Sequence, residues 1–441
     1  MREPASVRMS RVSDRGRWAT AGAIALCVGL LGGGQAAAAA RERAYRTPIA
    51  HGSAAARTAV SGSELSGAVA QAFRGRGGAW VADAGTNQVL FQRGAGKARP
   101  LASNMKLFTT ATALARFGPD ERLETTVWAG DDPADGVVSS GLFLVGAGDP
   151  TLSTAGVNKL AARVRAAGVR TVQGPLRYDD SFLDQRTRVP QHGVRREGTG
   201  TLSALTLSGS AGARTAAQRF DLALRRAGVT ISMKVRRAVV PPESAGAREV
   251  AELLSPTITN LARRTNVPSN NYLAEMLLKN IGGAFGGAGT TRAGVGAVQR
   301  FAAEQGGSVR AENGSGLSRR DVASPASVGA LLDSMLEVDE SASPERQAEL
   351  ERRRDAWVST LAVAGRSGTL ARRMRGSAAA NNCRAKTGTL NGISALSGYC
   401  FRNGAIDAEH AVVFSILMSG DVGRAHRVQD QMAALMARYS P

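Results

Sequence analysis

Metal-binding and redox side chains are scarce in this chain. Its four histidines (His51, His192, His410 and His426) stand apart, and neither H-E-x-x-H nor C-x-x-C occurs. That argues against a metal centre and implies no cofactor. Aromatic residues make up only 5% of the 441 positions. No zinc spacing, aromatic-bearing RNP strand or single basic stripe is present, so nothing resembles a nucleic-acid module. Only one long apolar run exists and no repeat appears, which excludes a polytopic membrane protein, a collagen and a coiled coil. What remains is 43% hydrophobic and 21% charged, a globular composition too apolar for disorder. The length suits two or three domains.

Lysine is nearly absent as well. Of 56 basic residues, six are lysines (Lys97, Lys106, Lys159, Lys234, Lys279 and Lys386), and the net charge is +20. Two readings of that charge stand side by side. A codon bias toward arginine explains its scatter along the whole chain. Attraction to an anionic cell envelope is the functional alternative.

The N-terminus sets the compartment. Arg2, Arg8, Arg11, Arg15 and Arg17 precede an apolar run from Trp18 to Leu31, then Gly32 to Gly34 and Ala36 to Ala40. Residues 1–40 therefore read as a secretory signal with a small-residue cleavage site, the run being short for a membrane span. Cys27 follows Leu26, where a lipoprotein signal requires a small residue, so no lipid anchor is expected. The expected location is across the cytoplasmic membrane, in the periplasm or on the cell envelope. Residues 41–62 read as a basic, Ala-rich linker.

Periodicity and turn signals lay out the rest. A helix is expected over Ser63–Phe73, a hairpin over Gly77–Arg93 and a helix over Ser103–Arg116. Short strands follow at Leu123–Trp128, Val137–Val145, Leu176–Tyr178 and Ile231–Val240, with helices near 155–167 and 214–227. Helical patterns return after Ser255-Pro256, including Tyr272–Asn280 and Thr291–Glu304. The chain ends in strands at Cys383–Thr389, Ser394–Cys400 and Ala411–Leu417 and a helix over Val422–Tyr439. Strands at both ends predict one sheet closed by the two termini and interrupted by an inserted module.

Three short motifs carry chemistry: Ser103-Asn104-Met105-Lys106 (S-x-x-K), Ser269-Asn270-Asn271 (S-x-N) and Lys386-Thr387-Gly388 (K-T-G). From composition alone they are expected about 0.5, about 1 and about 0.04 times respectively, so the last is informative and the ordered trio strong. A serine hydroxyl needs a neighbouring base to become a nucleophile. On a helix, Ser103 and Lys106 share a face one turn apart. Lysine can lose its proton there and arginine cannot.

The trio resembles the penicillin-recognising serine enzymes, penicillin-binding proteins and serine β-lactamases. More of the chain narrows the likeness to the D-alanyl-D-alanine carboxypeptidase/endopeptidases, the class C low-molecular-mass penicillin-binding proteins. Pro100 to Leu107, Gly148-Asp149-Pro150-Thr151-Leu152, Gly314-Ser315-Gly316-Leu317-Ser318, Gly368-Thr369-Leu370 and Lys386-Thr387-Gly388-Thr389-Leu390 carry it. The resemblance implies an α/β (α+β) fold: a mainly antiparallel sheet flanked by helices, a helical lobe and an inserted mixed region. The expected division is a discontinuous catalytic domain (63–124 and 256–441) holding an insertion (125–255).

The resemblance also implies roles. Ser103 would attack the D-Ala-D-Ala carbonyl of a peptidoglycan stem peptide, with Lys106 as base. Ser269 would relay a proton, Asn271 would bind the substrate amide, and Lys386 would add positive potential. Thr387 and Thr389 would hold the substrate carboxylate, with Gly388 between them, and the N–H groups of Ser103 and Thr389 would form the oxyanion hole. β-Lactams would act as inhibitors. Two departures stand out: Asn270 and Asn313 replace aspartates common at those places.

Plainer readings exist. Ser103 and Ser269-Asn270 suit helix caps, and Lys386 suits a guard on a strand edge. Asp149-Pro150 and Asp179-Asp180 suit turns better than catalysis. Competing functions lack their parts: no E-x-x-x-N for a glutamate-dependent β-lactamase, no G-x-S-x-G for an α/β-hydrolase. An inert wall-binding module fits poorly with three intact motifs.

One prediction rests on spacing. A tight Asn391-Gly392 turn pairs residues whose numbers sum to 783, and Cys383 with Cys400 meets that sum. Their strands would approach to about 4.5 Å between Cα atoms, the short end of the disulfide range, on the face opposite Lys386, a pair of buried thiols being the plainer reading.

Overall fold

A computed structural model describes residues 60–186, 189–191, 200–231, 234–402 and 405–440. The expected secretory signal, with Cys27, lies outside the described residues, as do nearly all of the linker, His51 and His192.

The chain opens with α1 (Gly62–Ala72), β1 (Arg76–Asp83), β2 (Gln88–Arg93) and α2 (Met105–Phe117). Ser61 and Glu64 cap α1 reciprocally, satisfying N–H groups that the helix cannot. Next come β3 (Arg122–Ala129), β4 (Leu142–Gly146), α3 (Thr154–Ala166), β5 (Leu176–Asp179), α4 (Ala213–Arg226), β6 (Arg236–Arg237) and β7 (Arg248–Thr257). The helical stretch that follows comprises α5 (Ile258–Asn266), α6 (Asn271–Phe285), α7 (Thr291–Glu304), α8 (Pro325–Ser334) and α9 (Pro344–Ser359). Serine and proline start the last two, Ser324-Pro325 and Ser343-Pro344. The chain closes with β8 (Ala362–Val363), β9 (Cys383–Leu390), β10 (Ile393–Phe401), β11 (Ala411–Ser419) and α10 (Val422–Met436).

The two termini share a sheet, as the sequence predicts. Its order is β8-β9-β10-β11-β1-β2, antiparallel throughout. The alternation of side chains decides which core each residue joins. Ala395, Tyr399, Val413 and Leu417 face a core with Met105, Phe108, Leu277 and Leu332. Leu396, Val412, Phe414 and Ile416 face the opposite core with Leu65, Val69, Val428 and Met432. Burial on both faces explains the near-continuous apolar runs of β10 and β11. Each fully buried Leu or Phe contributes about 1.5–3 kcal/mol.

A second sheet, ordered β6-β5-β4-β3-β7, is mixed, with parallel pairs at β6-β5 and β5-β4. It packs Val127, Leu142 and Leu144 against Leu160, Val164, Phe220 and Leu224 of α3 and α4. Two expectations fail in this stretch. Val137–Val145 is not one strand: Val137–Val138 joins a small parallel sheet, and β4 begins at Leu142. Asp131 accepts the N–H groups of Ser139 and Ser140 and turns the chain there. Gly141, at φ +94°, completes the break, since a Cβ would stand 2.3 Å from the Pro175 oxygen. Ile231–Val240 is likewise two fragments, Thr230–Ile231 and Arg236–Arg237, in different sheets. The ten-residue strand β7 went unread, because its pairing with β3 is long-range and Pro256 argues against a strand.

Cys383 and Cys400 pair in register and form a disulfide, with Cα atoms 4.0 Å apart. The bridge lies in the core opposite the face that carries Lys386, as the parity predicts. No described helix is long and apolar enough to cross a membrane.

Candidate active site

The first motif sits where β3 has not yet begun and the chain bends hard. Ser103 lies in a single 3-10 turn, Ala102–Asn104, directly before α2. Ala102 holds φ +46°, a left-handed conformation that an alanine seldom adopts. Gly316 presses on this turn: a Cβ there would stand 1.8 Å from the Ala102 oxygen, so only glycine fits. No side chain caps α2. Asn104 instead donates to Ser397 Oγ at 2.7 Å and anchors the turn on β10.

One turn on, Lys106 is fully buried. Its Nζ donates to Ser103 Oγ at 3.0 Å, to Asn271 Oδ1 at 2.7 Å and to the Ser315 carbonyl at 2.6 Å. A nucleophile candidate, a basic side chain and the second motif therefore meet at one nitrogen.

The second motif forms at a helix end. Helix α5 closes with Ser269 N–H on the Asn266 carbonyl (3.2 Å) and Asn270 N–H on the Thr265 carbonyl (2.8 Å). This paired turn places Ser269 at the left-handed position, φ +62°, where glycine is usual. Asn270 caps α6 by accepting the Leu273 N–H at 3.0 Å. Its amide does the job an aspartate would do, so that departure leaves the cap intact.

The third motif lies on β9. Lys386, also fully buried, donates to Ser269 Oγ at 3.0 Å and to the Thr387 carbonyl at 2.8 Å. Burial, and then the neighbouring Lys106, push the Lys386 ammonium well below the ordinary lysine value. Thr387 Oγ1 donates to Thr369 Oγ1 at 2.7 Å. Gly388 faces the nucleophile turn, where a Cβ would stand 2.7 Å from the Leu101 oxygen and 3.1 Å from Ser103 N. Thr389 is exposed at the open end of the strand. Ser103, Lys106 and Asn271 thus form one hydrogen-bonded cluster and Ser269 and Lys386 a second, with Gly388 facing the Ser103 turn and Thr389 next along β9. Chemically, the cluster can take a proton from Ser103 and set hydroxyl groups, backed by two buried lysines, toward a carbonyl-bearing ligand.

Sequence reasoning missed the layer beneath. Glu275, one turn along α6 from Asn271, is fully buried. Its carboxylate accepts the N–H groups of Gly314 (3.1 Å) and Ser315 (2.8 Å). Burial pushes its pKa up, while the Ser315 hydroxyl, both N–H groups and Lys106 hold it down. The signal was present: a carboxylate inside the otherwise apolar run Leu273–Leu278, four residues from Asn271. Asn313 Oδ1 accepts the Gly316 N–H at 2.8 Å and keeps that loop folded. Asp321, pushed up to about 7 by burial, takes the N–H groups of Glu312, Asn313 and Ser318. Asp149 and Asp179 hold turns, as expected, accepting Thr151 N–H and Ser181 N–H. Among the described residues no three His, Cys, Asp or Glu side chains are placed to hold a metal ion.

An antiparallel sheet between two helical layers, with the third motif on strand β9 and the first two at the starts of helices beside it, defines a protein of the penicillin-binding class. Comparison makes the assignment specific. The model of the D-Ala-D-Ala carboxypeptidase 3 (S13) family matches residues 64–203 and 199–439, and the chain belongs to that family of serine-type peptidases. The D-alanyl-D-alanine carboxypeptidase of Actinomadura sp. is 31% identical over 455 residues, covering 82% of this chain and 81% of its own. Carboxypeptidase DacB of Mycolicibacterium smegmatis is 29% identical over 386 residues, covering 81% and 79%. Penicillin-binding protein 4 of Haemophilus influenzae, also crystallised with a β-lactam, has the same fold, with a TM-score of 0.66 at 18% identity over 83% of this chain and 97% of its own.

Proposed function

We propose that the protein hydrolyses the D-Ala-D-Ala bond of peptidoglycan stem peptides through an acyl-enzyme on Ser103, as a carboxypeptidase/endopeptidase that β-lactams inhibit. The observation that carries this reading is the Lys106 ammonium nitrogen 3.0 Å from Ser103 Oγ, held also by Asn271 and the Ser315 carbonyl. Once neutral, that amine takes the Ser103 proton as Oγ attacks the carbonyl carbon. The N–H groups of Ser103 and Thr389 receive the developing oxyanion. As the tetrahedral intermediate collapses, the C–N bond breaks and the leaving D-alanine amine takes a proton through Ser269. Asn271 binds the substrate amide, Lys386 supplies positive potential, and Thr387 and Thr389 hold the substrate carboxylate. Water then attacks the ester and frees Ser103. A β-lactam enters the same path, but its leaving nitrogen stays tethered and the ester persists.

The same reading places the protein outside the cytoplasmic membrane, with residues 1–40 as its secretory signal. It takes residues 125–255 as a module inserted into the catalytic domain (63–124 and 256–441), the mixed sheet being that module's core. The net charge of +20 supports electrostatic association with an anionic envelope, which salt should weaken. The decisive experiment incubates the protein with labelled penicillin, measures intact mass and maps the adduct. One adduct on Ser103, absent from Ser103→Ala, is expected. A stable adduct elsewhere, or none, overturns the assignment.

A further inference from the structure

Glu275 is the buried carboxylate that takes the N–H groups of Gly314 and of Ser315, the residue whose carbonyl accepts from Lys106, and the steps above give it no part. Its surroundings are unusually complete. On one side, its two oxygens take the N–H groups of Gly314 and Ser315. On the other side of the same two residues, the carbonyls are held from α2: Gly314 accepts Thr109 Oγ1 at 2.9 Å and Ser315 accepts Lys106 Nζ at 2.6 Å. The loop is thus clamped between the Glu275 carboxyl group on α6 and Thr109 and Lys106 on α2. Two acceptor oxygens, one for each N–H group, suit a carboxyl side chain.

Geometry shows what the carboxyl group supports. Lys106 and Lys386 are both fully buried, and the direct Lys106 acceptors so far named are neutral oxygens. Glu275 is separated from the Lys106 ammonium by a single residue, Ser315. The Ser315 N–H is conjugated with the Gly314 carbonyl, which meets Thr109, and the Ser315 carbonyl of the next peptide is held in place through the Ser315 Cα. The lysine's reach toward Ser103 Oγ therefore depends on where the Ser315 carbonyl is held, and that depends on Glu275.

We infer that Glu275 is a positioning residue for the acylation step: its carboxylate fixes the Gly314–Ser315 loop so that the Ser315 carbonyl holds Lys106 against Ser103. The inference rests on the proposed serine acylation. It goes further by assigning the support of the base to a residue outside the three motifs, one that never touches substrate.

Glutamine keeps the shape of Glu275 but offers one acceptor, its amide N–H₂ facing the second backbone N–H. Aspartate keeps both acceptor oxygens on a shorter stem that cannot reach both donors. The test is stopped-flow acylation of full-length Glu275→Gln and Glu275→Asp by fluorescent benzylpenicillin, separating the prior binding constant from the acylation rate constant. Glu275→Gln should lose about 100-fold in the rate constant, the scale of a small misplacement of a reacting group. Binding should barely change. Glu275→Asp should fall between wild type and Glu275→Gln.

Three outcomes overturn the inference: a wild-type rate constant in either variant, an aspartate no faster than the glutamine, or a loss confined to the binding constant. Should the glutamine variant lack a cooperative unfolding transition, the aspartate variant alone decides, a wild-type rate constant again refuting it. Wild-type protein that takes no penicillin on Ser103 removes the functional reading and this inference together. Normal wild-type acylation beside unaffected variants removes only the inference.

Discussion

Two helix ends in this molecule share one hydrogen-bond pattern and differ in the residue at its left-handed position. Helix α4, under the mixed sheet, closes with Gly228 N–H on the Arg225 carbonyl and Val229 N–H on the Leu224 carbonyl. Helix α5, beside the site, closes with Ser269 on Asn266 and Asn270 on Thr265. Gly228 has φ +79° and Ser269 has φ +62°. An L side chain there is disfavoured by roughly 1–2 kcal/mol. Where only a turn is needed, glycine stands. Where a hydroxyl must meet Lys386, serine stands in the strained conformation. An observed outlier of this kind points to function rather than to stability. The chemistry-bearing residues should therefore respond to mutation in activity, and their counterparts elsewhere in stability.

The largest expected effect is on Lys106. Lys106→Arg should lose about 10²–10⁴-fold in acylation, because a guanidinium stays protonated and cannot act as base. Lys386→Arg should retain part of its acylation yet unfold more readily. Burial and Lys106 already disfavour charge at Lys386, and arginine cannot shed it. Stopped-flow acylation and urea unfolding of both variants separate these outcomes. Near-normal acylation in Lys106→Arg removes the base assignment.

Strand β9 divides the two kinds of response between its faces, Lys386 on one and Cys383 on the other. The disulfide closes a separation of 17 residues, a loop that contributes about 3 kcal/mol by restricting the unfolded chain. Replacing both Cys383 and Cys400 by alanine should lower stability by that order and leave the acylation rate constant at 25 °C nearly unchanged. A loss of acylation with unchanged stability would mean that the bridge shapes the site rather than bracing its strand.

Ser269→Gly sharpens the contrast directly. Relief of strain opposes loss of the hydrogen bond to Lys386, each of order 1 kcal/mol, so stability should move by less than about 1 kcal/mol. Acylation should fall by about 100-fold, the lower end for loss of a proton-transfer group. Unimpaired acylation there would leave the strained serine without a purpose.

What could be read from the sequence follows the same division. Motif residues are legible because their chemistry restricts residue type: Ser103, Lys106, Ser269, Asn271 and Lys386 meet within two hydrogen-bonded clusters. The Cys383–Cys400 register is legible because Asn391-Gly392 sets it over a short range. Glu275 was not read, since nothing local says which loop a buried carboxylate will hold, and Gly314 lies 39 residues away in sequence. The breaks at Gly141 and after Ile231 were missed for a related reason. Alternation marks an extended chain but not the point at which it leaves one sheet for another. β7 needs its partner β3, more than a hundred residues earlier, before its pattern makes sense.

The smallest expected effect completes the comparison from the other side. Gly228→Ser places at α4 the residue that α5 already carries. A Cβ on Gly228 would meet only the Arg165 side chain, at 3.7 Å, so the new residue has room and brings mainly backbone strain. That strain is offset in part because glycine loses more freedom on folding, by about 0.4–1 kcal/mol. A net loss near 1 kcal/mol is expected, a shift of about 2 °C or less in a chain of this size. Gly228→Asn should lose less than Gly228→Ser, since asparagine visits the left-handed region more readily. Differential scanning calorimetry resolves the order Gly, Asn, Ser, and penicillin acylation should be the same in all three. If serine proves as stable as glycine at 228, the left-handed turn exacts nothing, and Ser269 owes its place at α5 to tolerance rather than to the hydroxyl it offers Lys386.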